Sequence, residues 1–303
     1  MVQFPVLSEQ RLLQRLAYPN RPIRIVLDTD TYNEIDDQFA VIYALKSPEK
    51  ITVEAFYAAP FYNELSSGPK DGMEKSYDEL VKIAGLLPEM NGIPIHRGSE
   101  RYLPAADTPV DSAAARDLVA RAMASSEDDP LYVVAIGAIT NVASAMLLEP
   151  RIIERIVVVW LGGHALHWRD TKEFNLHQDL HASRTMLNSG VPLVLIPCMG
   201  VTSHLLTTLS EVEDYVKEKG PVGEYLYETF RGCASDHAGY SRVIWDISTI
   251  AYLNNEAWLP STLVHSPVLS EDFRWSFDHT RHFIRCVDYV HRDAVFKDLF
   301  RKL

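Results

Sequence analysis

The sequence predicts an α/β fold in which helices flank an open, mostly parallel β-sheet, with a mainly helical C-terminal part. Short runs of branched apolar residues alternate along the chain with segments whose apolar residues recur at helical spacing. The runs are apolar at consecutive positions, as is typical of strands that are buried on both faces. Parallel strands need crossover connections, which the intervening helices would supply.

The predicted strands are short and most of them end at polar or glycine residues. The first follows the turn at 19–22 and runs directly into an acidic loop, and two later ones end at Gly137 and Gly162. The predicted strands are 23–27, 51–58, 131–136, 156–161, 191–196 and 282–287.

The predicted helices each carry an apolar stripe. Asp36 and Asp37 lead the helix after the first strand, where two negative charges suit the positive N-terminal end of the helix dipole. The predicted helices are a short amphipathic one within the first 20 residues and 36–47, 74–87, 112–125, 140–148 and 179–188. No repeat or linker divides the chain, so we expect a single domain over 1–303, with 1–21 as an N-terminal extension.

Composition excludes some classes of function. The chain of 303 residues has a net charge of −12, whereas proteins that bind nucleic acids or anionic membranes collect Lys and Arg. Cys198, Cys233 and Cys286 are odd in number and far apart, as expected of reduced thiols. No apolar run has the length of a signal peptide or a membrane span, so we expect a cytoplasmic protein without nucleic-acid or membrane partners.

Polar residues follow the predicted strands, where ligands bind in open α/β sheets. Five carboxylates lie within ten residues after the first strand, namely Asp28, Asp30, Glu34, Asp36 and Asp37. So many carboxylates share a dry crevice only if a cation compensates their charge, and oxygen ligands suit Ca²⁺. The alternative is a solvated acidic turn before a helix N-cap, which is less usual between an apolar strand and an apolar helix.

These residues resemble a known family. Asp28-Thr29-Asp30 followed by Asp36-Asp37 is similar to the N-terminal signature of the calcium-dependent inosine–uridine-type nucleoside hydrolases. The resemblance extends over nearly the whole chain from residue 22. Further family motifs follow in the same order: Asn63, the loop 136–141, the glycine turn 161–163, the segment Glu173-Phe174-Asn175 with Asp179, and Trp245-Asp246.

The resemblance implies a function and a set of site residues. It implies hydrolysis of the N-glycosidic bond of ribonucleosides to ribose and free base, by a homo-oligomer, either a dimer or a tetramer. The implied Ca²⁺ ligands are Asp28, Asp30, Asp37, the carbonyl of Ile136 and Asp246. The implied ribose ligands are Asp36, Asn63, Glu173 and Asn175. Asp30 is also implied as the base that takes a proton from the attacking water.

The chain departs from the family pattern in two loops. Residues 31–35 place five positions between the Asp pairs where the family usually has three, and they lack its glycine. Asn33 or Glu34 therefore either reaches the site or faces solvent. The loop 61–71 also looks longer than usual, and it is either a lid or surface.

The residue before the last metal ligand bears on the leaving base. Pyrimidine-accepting members of the family often have histidine there, whereas the purine-preferring branch has tryptophan, as this chain does at Trp245. We therefore expect a preference for purine nucleosides. The alternative is that Trp245 is an aromatic residue of the hydrophobic core. His164 and His167 follow the glycine turn and either contact the substrate or serve the structure.

Two other functions are compatible with some of these residues. The segment 23–31 also fits the first motif of haloacid-dehalogenase-type phosphatases, with Asp28 as nucleophile and Asp30 as acid, but no later Gly-Asp metal motif follows a strand. A non-catalytic nucleoside- or ribose-binding homologue would keep the pocket without positioning the water. Assays with nucleosides and with a phosphate ester would separate the three.

Overall fold

The computed structural model describes residues 2–303, and strands and helices alternate along most of it. The strands are β1 (Ile23–Thr29), β2 (Ile51–Ala58), β3 (Ile95–Arg97), β4 (Leu131–Ala135), β5 (Ile156–Leu161), β6 (Leu193–Ile196), β7 (Leu206–Thr207), β8 (Arg242–Val243), β9 (Ser261–His265), β10 (Val268–Leu269), β11 (Trp275–Ser276) and β12 (Phe283–Val287). The helices are α1 (Glu9–Leu16), α2 (Ile35–Leu45), α3 (Pro69–Leu86), α4 (Ala113–Ala124), α5 (Thr140–Leu148), α6 (Phe174–Gln178), α7 (Leu180–Asn188), α8 (Leu209–Tyr215), α9 (Gly220–Arg231), α10 (Ile247–Asn254) and α11 (Arg292–Lys302).

Eight strands form one sheet in the order β3-β2-β1-β4-β5-β6-β12-β9. Every neighbouring pair is parallel except β9, which pairs antiparallel with β12 at the edge. The chain builds outward from β1 through β2 to β3 and then returns to place β4 on the other side of β1. The strand order therefore reverses between β1 and β4, and a crevice opens at the carboxyl ends of these two strands. The predicted α/β fold is confirmed.

Two apolar layers cover the sheet. Along β1, Ile25 and Leu27 belong to the core on one face, with Phe39 of α2, while Val26 belongs to the core on the other face, with Leu118 of α4. All five are at most 1% exposed. Since β1 is buried on both faces, its apolar residues run consecutively instead of alternating with polar ones.

Local signals explain most of the boundaries. The bounds of β2, α5 and β5 coincide with the predicted ones. α3 begins at Pro69, five residues before its predicted start, because proline at the first turn supplies a pre-organised φ. The prediction missed β3, α6 and β9, which have three to five residues each and lack a long apolar run.

Within residues 2–303, no helix combines the length and the apolar character needed to cross a bilayer.

Candidate active site

A cavity of about 300 Å³ lies in the crevice at the carboxyl ends of the strands. Loops after β1, β4, β5 and β6 and the start of α10 contribute its walls. Of the residues predicted to form the site, those that line it are Asp30, Asp36, Asp37, Ile136, His164, Glu173, Asn175, Trp245 and Asp246. The topology therefore brings nine of these predicted residues to one place.

The loop after β1 carries Asp30 into the cavity. The Asn33 amide donates to the Asp30 carbonyl at 2.7 Å, which turns the chain toward α2. Gly137, after β4, faces Asp30 so closely that a Cβ there would lie 2.9 Å from Asp30 Oδ1. Glycine at 137 thus lets the backbone of the neighbouring strand approach this carboxylate.

Three carboxylates from two helices meet at the floor of the cavity. Asp36 and Asp37 lie in the first turn of α2, and Asp246 precedes α10. One oxygen from each lies within 4.8 Å of the others, and all three side chains are buried. The Thr29 hydroxyl donates to Asp37 Oδ1 at 2.5 Å, and the Trp245 amide donates to Asp36 Oδ2 at 3.2 Å. These bonds fix the orientation of the cluster.

Burial dominates the electrostatics of the cluster. Burial raises the pKa of Asp37 to about 7. It also raises the pKa values of Asp30, Asp36 and Asp246 well above the ordinary value of an aspartate, and repulsion by neighbouring carboxylates adds to this effect. Burial also raises the pKa of Asp28 to about 7. Without a compensating positive charge, the site therefore holds protons that ordinary carboxylates release.

The oxygen donors fit a divalent cation. Among residues 2–303, Asp28 Oδ2, Asp30 Oδ2 and Asp36 Oδ1 are buried and have no hydrogen-bond partner. Asp28 lies outside the cavity lining, where the Asn141 amide donates to its other oxygen at 2.7 Å. The Ile136 carbonyl faces the same region and accepts from Asn175 Nδ2 at 3.1 Å. A set of carboxylates and a carbonyl without nitrogen or sulfur donors is the set that hard cations such as Ca²⁺ prefer.

Glu173 forms a second wall and caps α6. Its carboxylate accepts from the backbone amides of Gly163, Asn175 and Leu176, each at 2.9 Å. Burial raises its pKa to about 7, although these three amides and the Cys198 thiol work in the opposite direction. Gly163 supports this arrangement with φ +70°, a conformation that glycine adopts without strain.

Two ring side chains border the open part of the cavity. Trp245 is half-buried and packs against the core. His164 Nδ1 accepts from the Met199 amide at 3.3 Å, so Nε2 carries the proton in the neutral ring. Burial lowers the pKa of His164, which favours that neutral form. The Nε2 donor of His164 and the indole of Trp245 therefore border the same cavity.

Besides Asp28, two predicted residues lie outside this cavity. Asn63 does not line it, and its side-chain amide donates instead to Asn33 Oδ1 at 2.6 Å. His167 is exposed and meets the edge of Trp168 with ring centroids 6.4 Å apart.

The unusual loop 31–35 does reach the cavity. Both Asn33 and Glu34 line it, and Glu34 pairs with Arg242 of β8 at 3.0 Å. This pair joins the loop to the β7–β8 ribbon. The side chains of an irregular loop follow no period. The sequence therefore could not predict whether Asn33 and Glu34 face the cavity or the solvent.

Sequence reasoning missed several lining residues, among them Lys172, Cys198 and Met199. Cys198 and Met199 lie two and three residues after the carboxyl end of β6. Ligands bind at the carboxyl ends of the strands in open α/β sheets, and this rule, applied to β6, would have identified both residues. Lys172 precedes Glu173 and is exposed, and no residue pattern distinguished it from a surface lysine.

The predicted loop 61–71 is shorter in the structure, because α3 begins at Pro69, and its residues pack against the body of the protein. The Tyr62 amide donates to Gln178 Oε1 at 2.8 Å, and Lys75 Nζ donates to the Leu65 carbonyl at 2.6 Å. In this conformation the loop lies beside the cavity and does not line it.

Comparisons with known proteins agree with this geometry. Residues 25–288 match the family model described as inosine-uridine preferring nucleoside hydrolase. RihA of Escherichia coli O81 (strain ED1a), a pyrimidine-specific ribonucleoside hydrolase, is 27% identical over 228 residues, which cover 67% of this chain and 69% of RihA.

Solved structures share the fold. A plant nucleoside hydrolase, PpNRh1, matches with a TM-score of 0.73 at 18% identity, over 93% of this chain and 98% of that one. A purine-preferring ribonucleoside hydrolase from Gardnerella vaginalis matches with a TM-score of 0.71 at 20% identity, over 92% and 97% of the two chains.

Proposed function

The chain belongs to the inosine-uridine preferring nucleoside hydrolase family, whose members hydrolyse N-glycosidic bonds, and we propose that it cleaves purine ribonucleosides to ribose and free base with bound Ca²⁺. One observation carries this proposal: buried carboxylates with unpartnered oxygens lie in the same cavity as a half-buried indole. The carboxylates suit a cation and a sugar, and the indole suits the flat face of a base.

The metal ligands in this proposal are oxygen donors only. Asp28, Asp30, Asp37, Asp246 and the Ile136 carbonyl would hold Ca²⁺. A bound Ca²⁺ orients the sugar hydroxyls and makes the attacking water more acidic. The unpartnered oxygens of Asp28 and Asp30 support this assignment, because a buried acceptor without a donor is costly unless a cation satisfies it.

The side chains around this cation have separate roles in proton transfer, ribose binding and charge stabilisation. Asp30 takes the proton from the attacking water, and the absence of a side chain at Gly137 leaves room for its carboxylate. Asp36, Glu173 and Asn175 bind ribose hydroxyls, and Asn63 contributes through its bond to Asn33. The carboxylates also stabilise the positive charge that develops on the sugar as the glycosidic bond breaks.

The other end of the cavity receives the base. Trp245 stacks on it, and the Nε2 proton of His164 is available to an acceptor on its ring. His167 is exposed, so its contact with substrate would require a bound nucleoside that extends beyond the cavity. Purines offer N7 and a larger face, which pyrimidines lack.

The resemblance to the family also supports three wider proposals. We propose a homo-oligomer, either a dimer or a tetramer, built from single-domain chains. We further propose a cytoplasmic location, which the three free cysteines support. Nucleoside is the small-molecule partner.

The native protein provides the first test. With Ca²⁺ present, we expect release of free base from inosine and adenosine and no release of phosphate from a phosphate monoester. Base release can be followed by ultraviolet absorbance and phosphate by a colorimetric assay. Turnover of the phosphate ester alone would support the phosphatase reading, and saturable inosine binding without turnover would support a non-catalytic binding protein.

Trp245→Ala tests the preference for purines. Stacking on an aromatic side chain is worth about 1–3 kcal/mol per base, so kcat/KM for inosine and adenosine should fall roughly tenfold or more, and that for uridine less. Trp258→Ala is the matched control, since Trp258 is also half-buried against the core but lies outside the cavity. Equal native activity on uridine and inosine would contradict the preference, and an equal loss for all bases would indicate packing instead.

A further inference from the structure

The loop between β1 and α2 presents two polar side chains to the cavity that Trp245 also lines. These are Asn33 and Glu34. Two contacts tie this part of the chain to the segment that carries Trp245. Glu34 pairs with Arg242 at 3.0 Å, and the Trp245 amide donates to Asp36, the second residue after Glu34. The two polar side chains and the indole therefore belong to neighbouring parts of one wall.

Depth in the cavity separates this wall from the carboxylate cluster. Asp36, Asp37 and Asp246 at the floor are 2–3% exposed, whereas the side chain of Glu34 is 45% exposed. Trp245 is half-buried. The proposed function places the sugar hydroxyls at the floor. The base of a bound nucleoside therefore extends toward the opening, where Glu34 and Trp245 lie.

A series of hydrogen bonds fixes which atom Asn33 has free. The Leu65 amide, which can only donate, donates to Asn63 Oδ1 at 2.9 Å. Asn63 Nδ2 is therefore directed elsewhere, and it donates to Asn33 Oδ1 at 2.6 Å. Among residues 2–303, no hydrogen bond uses the N–H groups of Asn33 Nδ2. Asn33 is thus a donor with two N–H groups, so one remains for a base even where the other donates to a ribose hydroxyl.

Arg242 fixes the opposite role for Glu34. The guanidinium of Arg242 lies 3.0 Å from Glu34 Oε2, and no hydrogen bond within residues 2–303 involves Oε1. An ionised carboxylate only accepts, so Oε1 is a free acceptor. The loop thus offers a donor on Asn33 and an acceptor on Glu34, and neither role reverses unless a bond to a neighbour is broken.

We propose that Asn33 and Glu34 hydrogen-bond the outer edge of the purine ring and distinguish 6-amino from 6-oxo purine nucleosides. Adenosine carries a donor at position 6 and an acceptor at N1, whereas inosine carries an acceptor at position 6 and a donor at N1. A fixed donor and acceptor therefore match one of the two and oppose the other, because a polar group that the base covers is costly when it stays unpaired. Asn63 and Arg242 are positioning residues for this pair. The inference rests on the proposed function.

Steady-state kinetics test the inference through the ratio of kcat/KM for adenosine to that for inosine. In Glu34→Gln, the glutamine carbonyl turns to Arg242, which only donates, so an N–H replaces the acceptor in the cavity. In Asn63→Asp, the carboxylate accepts from both Leu65 and Asn33 Nδ2, so Asn33 turns its oxygen to the cavity. Each variant should shift the ratio about tenfold or more, both in the direction away from the native preference. The double variant presents the pair in reverse order and should shift the ratio further, toward the other nucleoside.

The matched control is Glu224→Gln, which makes the same change at an exposed carboxylate outside the cavity and should keep the native ratio. Equilibrium dialysis of both nucleosides with Ca²⁺ present, using Asp30→Asn with and without Glu34→Gln, measures the same ratio as affinities while turnover is slow. If the affinities shift as expected but the native protein cleaves no nucleoside, the proposed cleavage fails and the assignment of the base edge stands.

Three results overturn the assignment of the base edge even where nucleosides are cleaved. The first is a ratio that stays within about threefold of the native value in both single variants, which is less than a typical hydrogen bond contributes. The second is a shift in opposite directions in Glu34→Gln and Asn63→Asp, or an equal shift in Glu224→Gln. The third is dialysis in which neither nucleoside binds.

Discussion

Asp30→Asn is expected to lower kcat for inosine hydrolysis by about 10²–10⁴-fold, the usual cost of losing a general base. Asparagine keeps the size of the side chain and one oxygen donor, but it cannot take a proton from water. Asp30 is 1% exposed and its Oδ2 has no hydrogen-bond partner among residues 2–303, so this oxygen is free to accept a proton.

The control for this variant is Asp214→Asn, which makes the same change at an exposed carboxylate outside the cavity. It should leave kcat unchanged. Because Asp30 is also a proposed metal ligand, Ca²⁺ affinity is measured in parallel. A loss of kcat at saturating Ca²⁺ indicates the base, whereas full activity of Asp30→Asn would exclude this role.

Removal of Ca²⁺ with a chelator is expected to lower activity by more than about 10²-fold, at least as much as the loss of one electrostatic group in a dry site. Re-addition of Ca²⁺ should restore it. Asp246→Asn should weaken Ca²⁺ binding, measured by titration calorimetry, because Asp246 lies with Asp36 and Asp37 in the cluster. Native affinity in that variant, or full activity in the chelator, would contradict the assignment of the site.

The stabilisation of the protein by Ca²⁺ should increase with pH. Burial raises the folded-state pKa of Asp28 and of Glu173 to about 7, above their ordinary values. Between pH 4 and 7 the folded protein without Ca²⁺ therefore binds more protons than the unfolded chain. Its free energy of unfolding falls as the pH rises. Ca²⁺ binds the ionised carboxylates, so the increase in Tm caused by Ca²⁺ should be larger at pH 8 than at pH 5. A Ca²⁺ effect that does not change with pH would contradict this.

Much of the fold was predictable because β1, β4 and β5 are buried on both faces and therefore read as continuous apolar runs. The edge strand β9 was not, since its residues are half-buried or exposed and it lies in a stretch that proline interrupts. Its pairing depends on β12, which follows it in the chain, so no local pattern specifies it.

The candidate site also contains residues that local sequence patterns predict and contacts that they do not. Asp36 and Asp37 were predictable because they lie at a helix N-terminus that one short loop separates from a strand end, and both features are local. The bond of Asn63 to Asn33 was not, because it joins two irregular loops whose backbone follows no period. The ion pair of Glu34 with Arg242 likewise depends on the distant β8.

The contact between Asp36 and Trp245 also has a consequence for how the protein is made. These residues are 209 positions apart in the chain, yet the Trp245 amide donates directly to the Asp36 carboxylate. A ribosome therefore synthesises most of the chain before the cluster can close, and closing so long a loop carries a large entropic cost. The cation proposed above would stabilise the folded state only of chains that contain both residues, because it would bind only the closed cluster. Products that end before residue 245 would lack this stabilisation, so we expect proteases to degrade them faster than the full chain.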